Sequence, residues 1–210
     1  MKRLPIDLQS FEALREDKCL YVDKTSYIHK MLETGRYFFI SRPRRFGKSL
    51  MVSVLKCFFK NKKELFDDLW IEKHGKWKWE EYPIIQLDFN VIGHDTQKEL
   101  LEGLEDNLED IGIKHGIKLR GRSLKRKFRN IVVDLSDKTG KPVVILIDEY
   151  DKPIITHLGK GEESLETAKF NKDLLKSFFG VLKGADVAPC TRFVLSRAFP
   201  NSTGFPYFST

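Results

Sequence analysis

Five consecutive aliphatic residues, Val143 to Ile147, indicate the fold class of this chain of 210 residues. The run is bounded by Pro142 and Asp148, which gives it the length of a single strand. A strand without a polar face is buried on both sides, as is typical of parallel sheets that carry helices on each face. The run therefore predicts an α/β protein.

Helical and strand-like patterns alternate along the rest of the chain. Strands are predicted at residues 37–40, 83–89, 143–147 and 192–195. Helices are predicted at residues 25–34 and 48–60, after a capping box at residues 96–99, and at residues 123–138 and 164–183. This alternation predicts a mostly parallel sheet of at least four strands, flanked by helices.

The composition is that of an ordinary globular protein. Hydrophobic residues make up 41% and charged residues 32%, which excludes a disordered or fibrous chain. No apolar stretch approaches the roughly 20 residues of a membrane-spanning helix, so no membrane association is expected. The cysteines, Cys19, Cys57 and Cys190, are few and far apart. They argue against a disulfide framework or a zinc site and predict a reducing, cytoplasmic location.

One predicted strand leads through a short loop into Gly47-Lys48-Ser49, which opens a predicted helix. In a P-loop, backbone N–H groups surround a phosphate at a helix N-terminus, where the helix dipole favours negative charge. Gly47 would let the backbone approach the phosphate, Lys48 would reach the β and γ phosphates, and the Ser49 hydroxyl would bind Mg²⁺. The predicted nucleotide contacts are Arg44, Arg45, Phe46, Gly47, Lys48, Ser49 and Leu50.

The match to the generic pattern GxxxxGK[ST] is incomplete, because Arg42 stands where the first glycine is expected. A Gly-Lys-Ser triplet also arises by chance, so a structural turn before a basic helix is an alternative interpretation. Arg42, Arg44 and Arg45 would add positive potential beside the phosphates. For each arginine taken singly, we favour a solvated basic loop.

The aliphatic run ends in Asp148-Glu149, which resembles the end of a Walker B strand. Asp148 would hold Mg²⁺, and Glu149 would orient or deprotonate the attacking water. A surface acid pair that merely ends a strand is the alternative. The joint occurrence favours the functional interpretation, because ligands of open α/β sheets bind at the carboxyl ends of the strands. Both motifs are predicted to lie at such ends.

Two further groups of residues have alternative interpretations. Residues 118–129 contain seven lysines and arginines, which could contact nucleic acid, but we favour a solvated helix face. Asp23, Lys24 and Thr25 could flank an adenine base or simply cap the first predicted helix. The histidines lack metal-ligand spacing and are predicted at the surface or in loops: His74, His94, His115 and His157.

Four strings carry a resemblance to a known family. They are Leu4-Pro5-Ile6 with Phe11, the string YVDKT at residues 21–25, SRPRRFGKS at 41–49 and DEYDKP at 148–153. From about residue 4 to 195 the chain resembles the bacterial and archaeal AAA-ATPase-like proteins. Those proteins typically carry an N-terminal P-loop ATPase domain followed by a PD-(D/E)xK nuclease-like domain. The family also has arginine where Arg42 stands in this chain.

The resemblance implies a P-loop NTPase fold of the additional-strand, catalytic-glutamate type. The last predicted strand would then lie between the strand before the P-loop and the Walker B strand, with Ser196 as the candidate polar residue at its end. Residues 1–195 would form the AAA-like ATPase domain. Residues 196–210 depart from the family's pattern, and we expect an irregular, truncated tail there.

Taken together, the motifs predict ATP binding and Mg²⁺-dependent ATP hydrolysis. Lys48 and Glu149 are the predicted catalytic residues, and Ser49 and Asp148 the predicted metal ligands. The alternative is a nucleotide-binding regulatory module, or a truncated remnant without turnover, with a nucleic-acid association through the basic stretch. The sequence leaves open whether the chain forms a homo-oligomer.

Overall fold

The structure, a computed structural model, describes residues 3–6, 8–41, 46–184, 187, 189 and 191–198, and for Ser41 and residues 192–198 the backbone only. The predicted contacts Arg44 and Arg45, together with Arg42 and residues 199–210, lie outside the described residues.

The described residues form a parallel sheet of four strands. The strands are β1 (Tyr37–Ser41), β2 (Ile84–Asp88), β3 (Val143–Asp148) and β4 (Thr191–Ala198). Their order across the sheet is β1-β4-β3-β2, and every neighbouring pair is parallel. The predicted position of the last strand, between β1 and β3, is confirmed. All four predicted strands are present.

The last strand is longer than its sequence pattern indicates. It was predicted at residues 192–195 but runs from Thr191 to Ala198. Its backbone continues to pair with β1 as far as Ser41 opposite Ala198. Residues 196–198, assigned to an irregular tail, therefore have strand backbone, because pairing in the sheet extends a strand whose own side-chain pattern has ended.

The helices pack on both faces of this sheet. They are α1 (Phe11–Glu16), α2 (Thr25–Thr34), α3 (Lys48–Phe59), α4 (Trp70–His74), α5 (Gln97–His115), α6 (Leu124–Thr139), α7 (Lys152–Ile155) and α8 (Glu162–Gly180). Two 3₁₀ helices are found at Lys63–Phe66 and Val181–Lys183. All five predicted helices are present. The unpredicted ones, α1, α4 and α7, are too short to show a helical hydrophobic period.

Local chemistry fixes the ends of the long helices. Thr96 Oγ1 accepts a hydrogen bond from Glu99 N at 3.2 Å, as the capping box predicts. In a capping box the Glu99 carboxylate would also accept a hydrogen bond from the Thr96 amide. Here it accepts from Asp95 N instead, one residue earlier in the chain. Ser123 caps α6, and Gly140 ends it with φ of 64°, a left-handed conformation that favours glycine.

Strand β3 separates two hydrophobic cores, and all six of its residues are buried. Val143, Ile145 and Ile147 pack with α5, α6 and α8, whereas Val144 and Leu146 face α1 to α4. The predicted burial of this strand on both faces is therefore confirmed. Among the helices that the structure describes, none is both long and apolar enough to cross a membrane.

Two of the histidines predicted at the surface or in loops do lie in loops, but in the interior of the protein. His94 and His157 are both buried. His157 Nε2 donates to the His94 carbonyl oxygen at 2.8 Å, and its Nδ1 lies 3.2 Å from Ser164 Oγ. These contacts join the segment after β2 to the start of α8. Their burial could not be predicted, because His94 and His157 are distant in sequence and leave no local pattern.

Candidate functional site

The predicted phosphate loop and the predicted acids meet at one edge of the sheet. Strand β1 ends at Ser41, seven residues before α3 begins at Lys48, and strand β3 ends at Asp148. Because the strands are parallel members of one sheet, their carboxyl ends share an edge. That edge is where ligands bind in open α/β sheets.

The backbone directly before α3 has a left-handed conformation. Gly47 precedes the helix with φ of 73° and ψ of 29°, and a Cβ atom there would meet nothing within 4 Å. Glycine is therefore required by the left-handed backbone and not by lack of space. No acidic residue lies in the first turn of α3, so the positive end of the helix dipole keeps its attraction for an anion.

The side chains at the start of α3 differ in how deeply they are buried. Lys48 is only 4% exposed. A cation that is so strongly buried needs negative or polar groups around it to offset its lost hydration. Ser49 and Leu50 are half-buried, and Leu50 packs against the core on the α3 face of the sheet. Phe46 lies just before the helix and is 58% exposed.

The acids lie at the end of β3. Asp148 is buried and stands opposite Asp88 in the register of β2 and β3. Glu149 is half-buried and has φ of 57°, a left-handed conformation that residues other than glycine rarely adopt. Such conformations concentrate at functional sites, where the surrounding structure enforces them. Asp151 is also buried and precedes α7.

A chain of polar contacts joins these acids to the end of β2. Asp88 Oδ1 accepts hydrogen bonds from the backbone and side-chain nitrogens of Asn90, both at 2.9 Å. Asn90 Oδ1 in turn accepts from Lys152 Nζ at 3.1 Å. Asp88 and Asn90 were not predicted from the sequence, although a polar residue at the end of a strand of a parallel sheet and a second one two positions later were a signal for this edge.

A pocket of about 370 Å³ lies directly beside the start of α3. Its walls come from α2, β1 and the first turns of α3, and they include Gly47 and Lys48. The aromatic rings of Tyr27, Phe39 and Phe46 line it, and each is between 43% and 58% exposed. Exposed rings around a concavity of this size are typical of a site for a flat organic group.

The contacts of residues 23–25 bear on whether these residues cap α2 or flank an adenine base. Asp23 Oδ1 accepts from Thr25 N at 2.8 Å, and Asp23 Oδ2 accepts from Trp70 N at 2.6 Å. Thr25 is fully buried, and its hydroxyl oxygen accepts from Ile71 N. Asp23 therefore accepts the first amide of α2 and, together with Thr25, attaches this helix to α4, whereas the N-cap residue Lys24 lines the pocket.

The comparison with known families agrees with the resemblance described above. A family model described as predicted AAA-ATPase matches residues 5–197. The chain belongs to this family. The match includes β1 to β4 up to residue 197, and thus both sequence motifs that converge at the carboxyl edge.

A protein from Azotobacter chroococcum mcd 1 is similar to this chain and is named "Uncharacterized protein in vnfD 5'region". The two are 35% identical over 191 residues. The match covers 88% of this chain and 35% of the relative, so the chain spans about a third of that protein's length. No solved structure matches the chain.

The basic stretch of this family member is partly neutralised. Arg120 pairs with Asp134 at 2.6 Å, and Lys127 pairs with Glu105 of the acidic helix α5 at 3.2 Å. The other basic residues of the stretch are exposed: Lys118, Arg122, Lys125, Arg126 and Arg129. These pairings fit the solvated helix face that we favoured, and a nucleic-acid role for the stretch stays a prediction.

The polar residue expected at the end of β4 also stays a prediction. Ser196 pairs by its backbone with Phe39 of β1, two residues before the end of the strand. Its side chain lies outside the described residues.

Proposed function

We propose that this domain binds ATP and hydrolyses it to ADP and phosphate in a Mg²⁺-dependent reaction, on a P-loop NTPase fold of the additional-strand, catalytic-glutamate type. One observation carries the proposal: the helix that starts at the buried Lys48 and the strand that ends in Asp148-Glu149 open onto the same edge of a parallel sheet. The insertion of β4 between β1 and β3 supports this fold assignment.

Lys48 would stabilise the negative charge that develops on the transferred phosphoryl group. Its burial supports this role, because a cation in a low-dielectric site interacts more strongly with phosphate than one in water. The backbone amides around residues 44–49 would donate hydrogen bonds to the phosphate oxygens at the start of α3. Gly47 permits that approach through its left-handed backbone.

Ser49 and Asp148 would hold Mg²⁺, and their oxygen donors fit this hard cation. Within the described part of the chain, no group of three or more His, Cys, Asp or Glu side chains forms a protein-only metal site. That fits Mg²⁺ in nucleotide enzymes, which takes one or two protein ligands and completes its shell with phosphate and water. When bound, the ion neutralises charge on the β and γ phosphates.

Glu149 would orient the attacking water and accept its proton. The half-buried carboxylate directly follows Asp148, the proposed metal ligand, and this position supports its assignment as the general base. Its left-handed backbone directs the side chain away from the regular alternation of β3, and this supports a role in the site rather than in the core.

The aromatic pocket beside Lys48 would hold the base of the nucleotide. Its volume accommodates a nucleoside, and Tyr27 and Phe46 present exposed rings to it. Stacking on aromatic rings is worth about 1–3 kcal/mol per base and does not require a specific hydrogen-bond pattern. Lys24 and Lys30, which also line the pocket, supply donors at its rim.

Removal of the metal tests the proposed function directly. We expect phosphate release from ATP in the presence of Mg²⁺ and a fall of about 100-fold or more after chelation with EDTA. Phosphate release and binding of a fluorescent ATP analogue should be measured on the same preparation. Binding without release would support the alternative of a regulatory module without turnover. Absence of both would contradict the proposed site.

The base pocket can be tested separately. Replacing Tyr27 by alanine should weaken ATP binding about fivefold or more, because a stacking surface is lost, while the affinity for inorganic tripolyphosphate stays unchanged. Calorimetric titration with both ligands measures the difference. An equal loss for ATP and tripolyphosphate would contradict the assignment, because it would place the effect on the phosphates and not on the base.

A further inference from the structure

We propose that Asn171 of helix α8 is a positioning residue, which holds the turn from Glu149 to Pro153 in the conformation that hydrolysis requires. This inference rests on the proposed function. It assigns a role to a residue that lies on another element and has no place in either sequence motif.

The contact that carries the inference is buried. Asn171 is fully inaccessible to solvent, and its Nδ2 donates a hydrogen bond to the Pro153 carbonyl oxygen at 2.8 Å. Pro153 is itself buried in the first turn of α7. Helices α7 and α8 pack against each other, so α8 acts as the support against which the turn is fixed.

The turn that receives this hydrogen bond needs external support. Glu149 has the unfavourable left-handed φ of 57°, and only three residues separate it from Pro153. Within the turn, Lys152 N donates a hydrogen bond to the Glu149 carbonyl oxygen at 2.9 Å. Ile154 N and Ile155 N both donate to the Asp151 carbonyl oxygen. A displacement of Pro153 would therefore be transmitted through these short bonds to the backbone of Glu149.

Two other contacts reach the same turn from different elements. Lys152 Nζ donates to Asn90 after β2, and the Tyr150 ring lies edge-on to Phe39 of β1 at a centroid distance of 6.0 Å. The contact to Asn90 is exposed, so water can replace it. Water cannot replace the Asn171 bond, and its loss would leave the Pro153 carbonyl without this donor in the interior.

Packing alone does not account for an asparagine at this position. Asn171 Oδ1 is buried and has no hydrogen-bond partner among the described residues, which is unfavourable for folding. The buried positions one turn away on either side of it, Ala168 and Leu175, are apolar. Polar groups retained in a core at a loss of stability are typical of sites where position matters more than stability.

The experiment compares three variants of the full chain. Asn171→Ala removes the side chain, Asn171→Leu keeps most of its volume without the donor, and Leu175→Ala truncates a buried residue of the same helix as the matched control. For each variant, we would measure kcat, the affinity for a fluorescent ATP analogue, the Tm, and hydrogen exchange of the backbone amides of Lys152, Ile154 and Ile155.

We expect both Asn171 variants to lose about tenfold or more in kcat, with nucleotide affinity changed by less than about twofold. The three amides should exchange faster than in the wild type. Leu175→Ala should lower the Tm, yet keep kcat within about twofold of the wild type below its unfolding temperature, because the leucine side chain makes no hydrogen bond to the turn.

Three results would overturn the inference. They are an unchanged kcat with unchanged amide exchange in the Asn171 variants, an equal loss of kcat in Leu175→Ala, and failure of both Asn171 variants to fold while Leu175→Ala folds. The exchange measurement does not need turnover. If the wild type hydrolysed no ATP but the exchange rates rose as expected, the proposed function would fail while the support of the turn by Asn171 would stand.

Discussion

Substitution of Lys48 by alanine is expected to reduce ATP turnover about 100-fold or more, which corresponds to ~2.7 kcal/mol of lost stabilisation of the transition state. Lys48 is the cation at the start of α3 and is 4% exposed, so water cannot easily replace its charge when it is removed. Binding of ATP should weaken as well, because the same ammonium group would contact the phosphates in the ground state.

Lys56 on the same helix provides a matched control. It is a half-buried lysine, and burial lowers the pKa of its ammonium group, but it lies more than two turns from the start of α3. Lys56→Ala should therefore leave turnover nearly unchanged. Both variants should be checked for folding by circular dichroism. Full activity of a folded Lys48→Ala protein would place the nucleotide site elsewhere.

Substitution of Glu149 by glutamine should separate binding from hydrolysis. The amide keeps the size of the side chain and can still occupy the left-handed position, but it cannot accept the proton of the attacking water. We expect kcat to fall about 100-fold or more, while the affinity for ATP stays within about twofold. Single-turnover kinetics with radiolabelled ATP would measure the hydrolytic step itself.

The control for this substitution is Glu163→Gln, which changes an exposed acid in the first turn of α8. It makes the same chemical change at an exposed acid that belongs to neither motif and should leave kcat unaltered. Wild-type turnover by Glu149→Gln would show that this carboxylate does not activate water. A large loss of ATP affinity would instead point to a role in binding the metal.

The parts of the fold that the sequence predicted correctly are those with strong local patterns. The aliphatic run of β3 can only be a doubly buried strand, and α5 and α6 show helical periodicity with recognisable caps. Once the strands are parallel, the convergence of the motifs at Lys48 and Asp148 follows from topology. These features depend on residues close together in the chain, so local sequence patterns are sufficient to predict them.

The missed features depend on contacts between distant residues. Asn171 and Pro153 come together through the packing of α8 on α7, and Asn90 meets Lys152 across 62 positions. The pocket beside Lys48 is formed by α2, β1 and α3 together, so no single segment reveals it. Short helices and the extension of β4 are likewise imposed by tertiary packing and sheet pairing rather than by local preference.

The central place of β4 also has a consequence for biosynthesis. This strand is the last of the four described strands, yet it lies between the strand that leads to Lys48 and the strand that ends in Asp148. While the ribosome is still translating residues before Thr191, β2 and β3 can pair with each other, but β1 has no neighbour in the sheet. The two halves of the site therefore reach their final separation only when the nascent chain delivers β4.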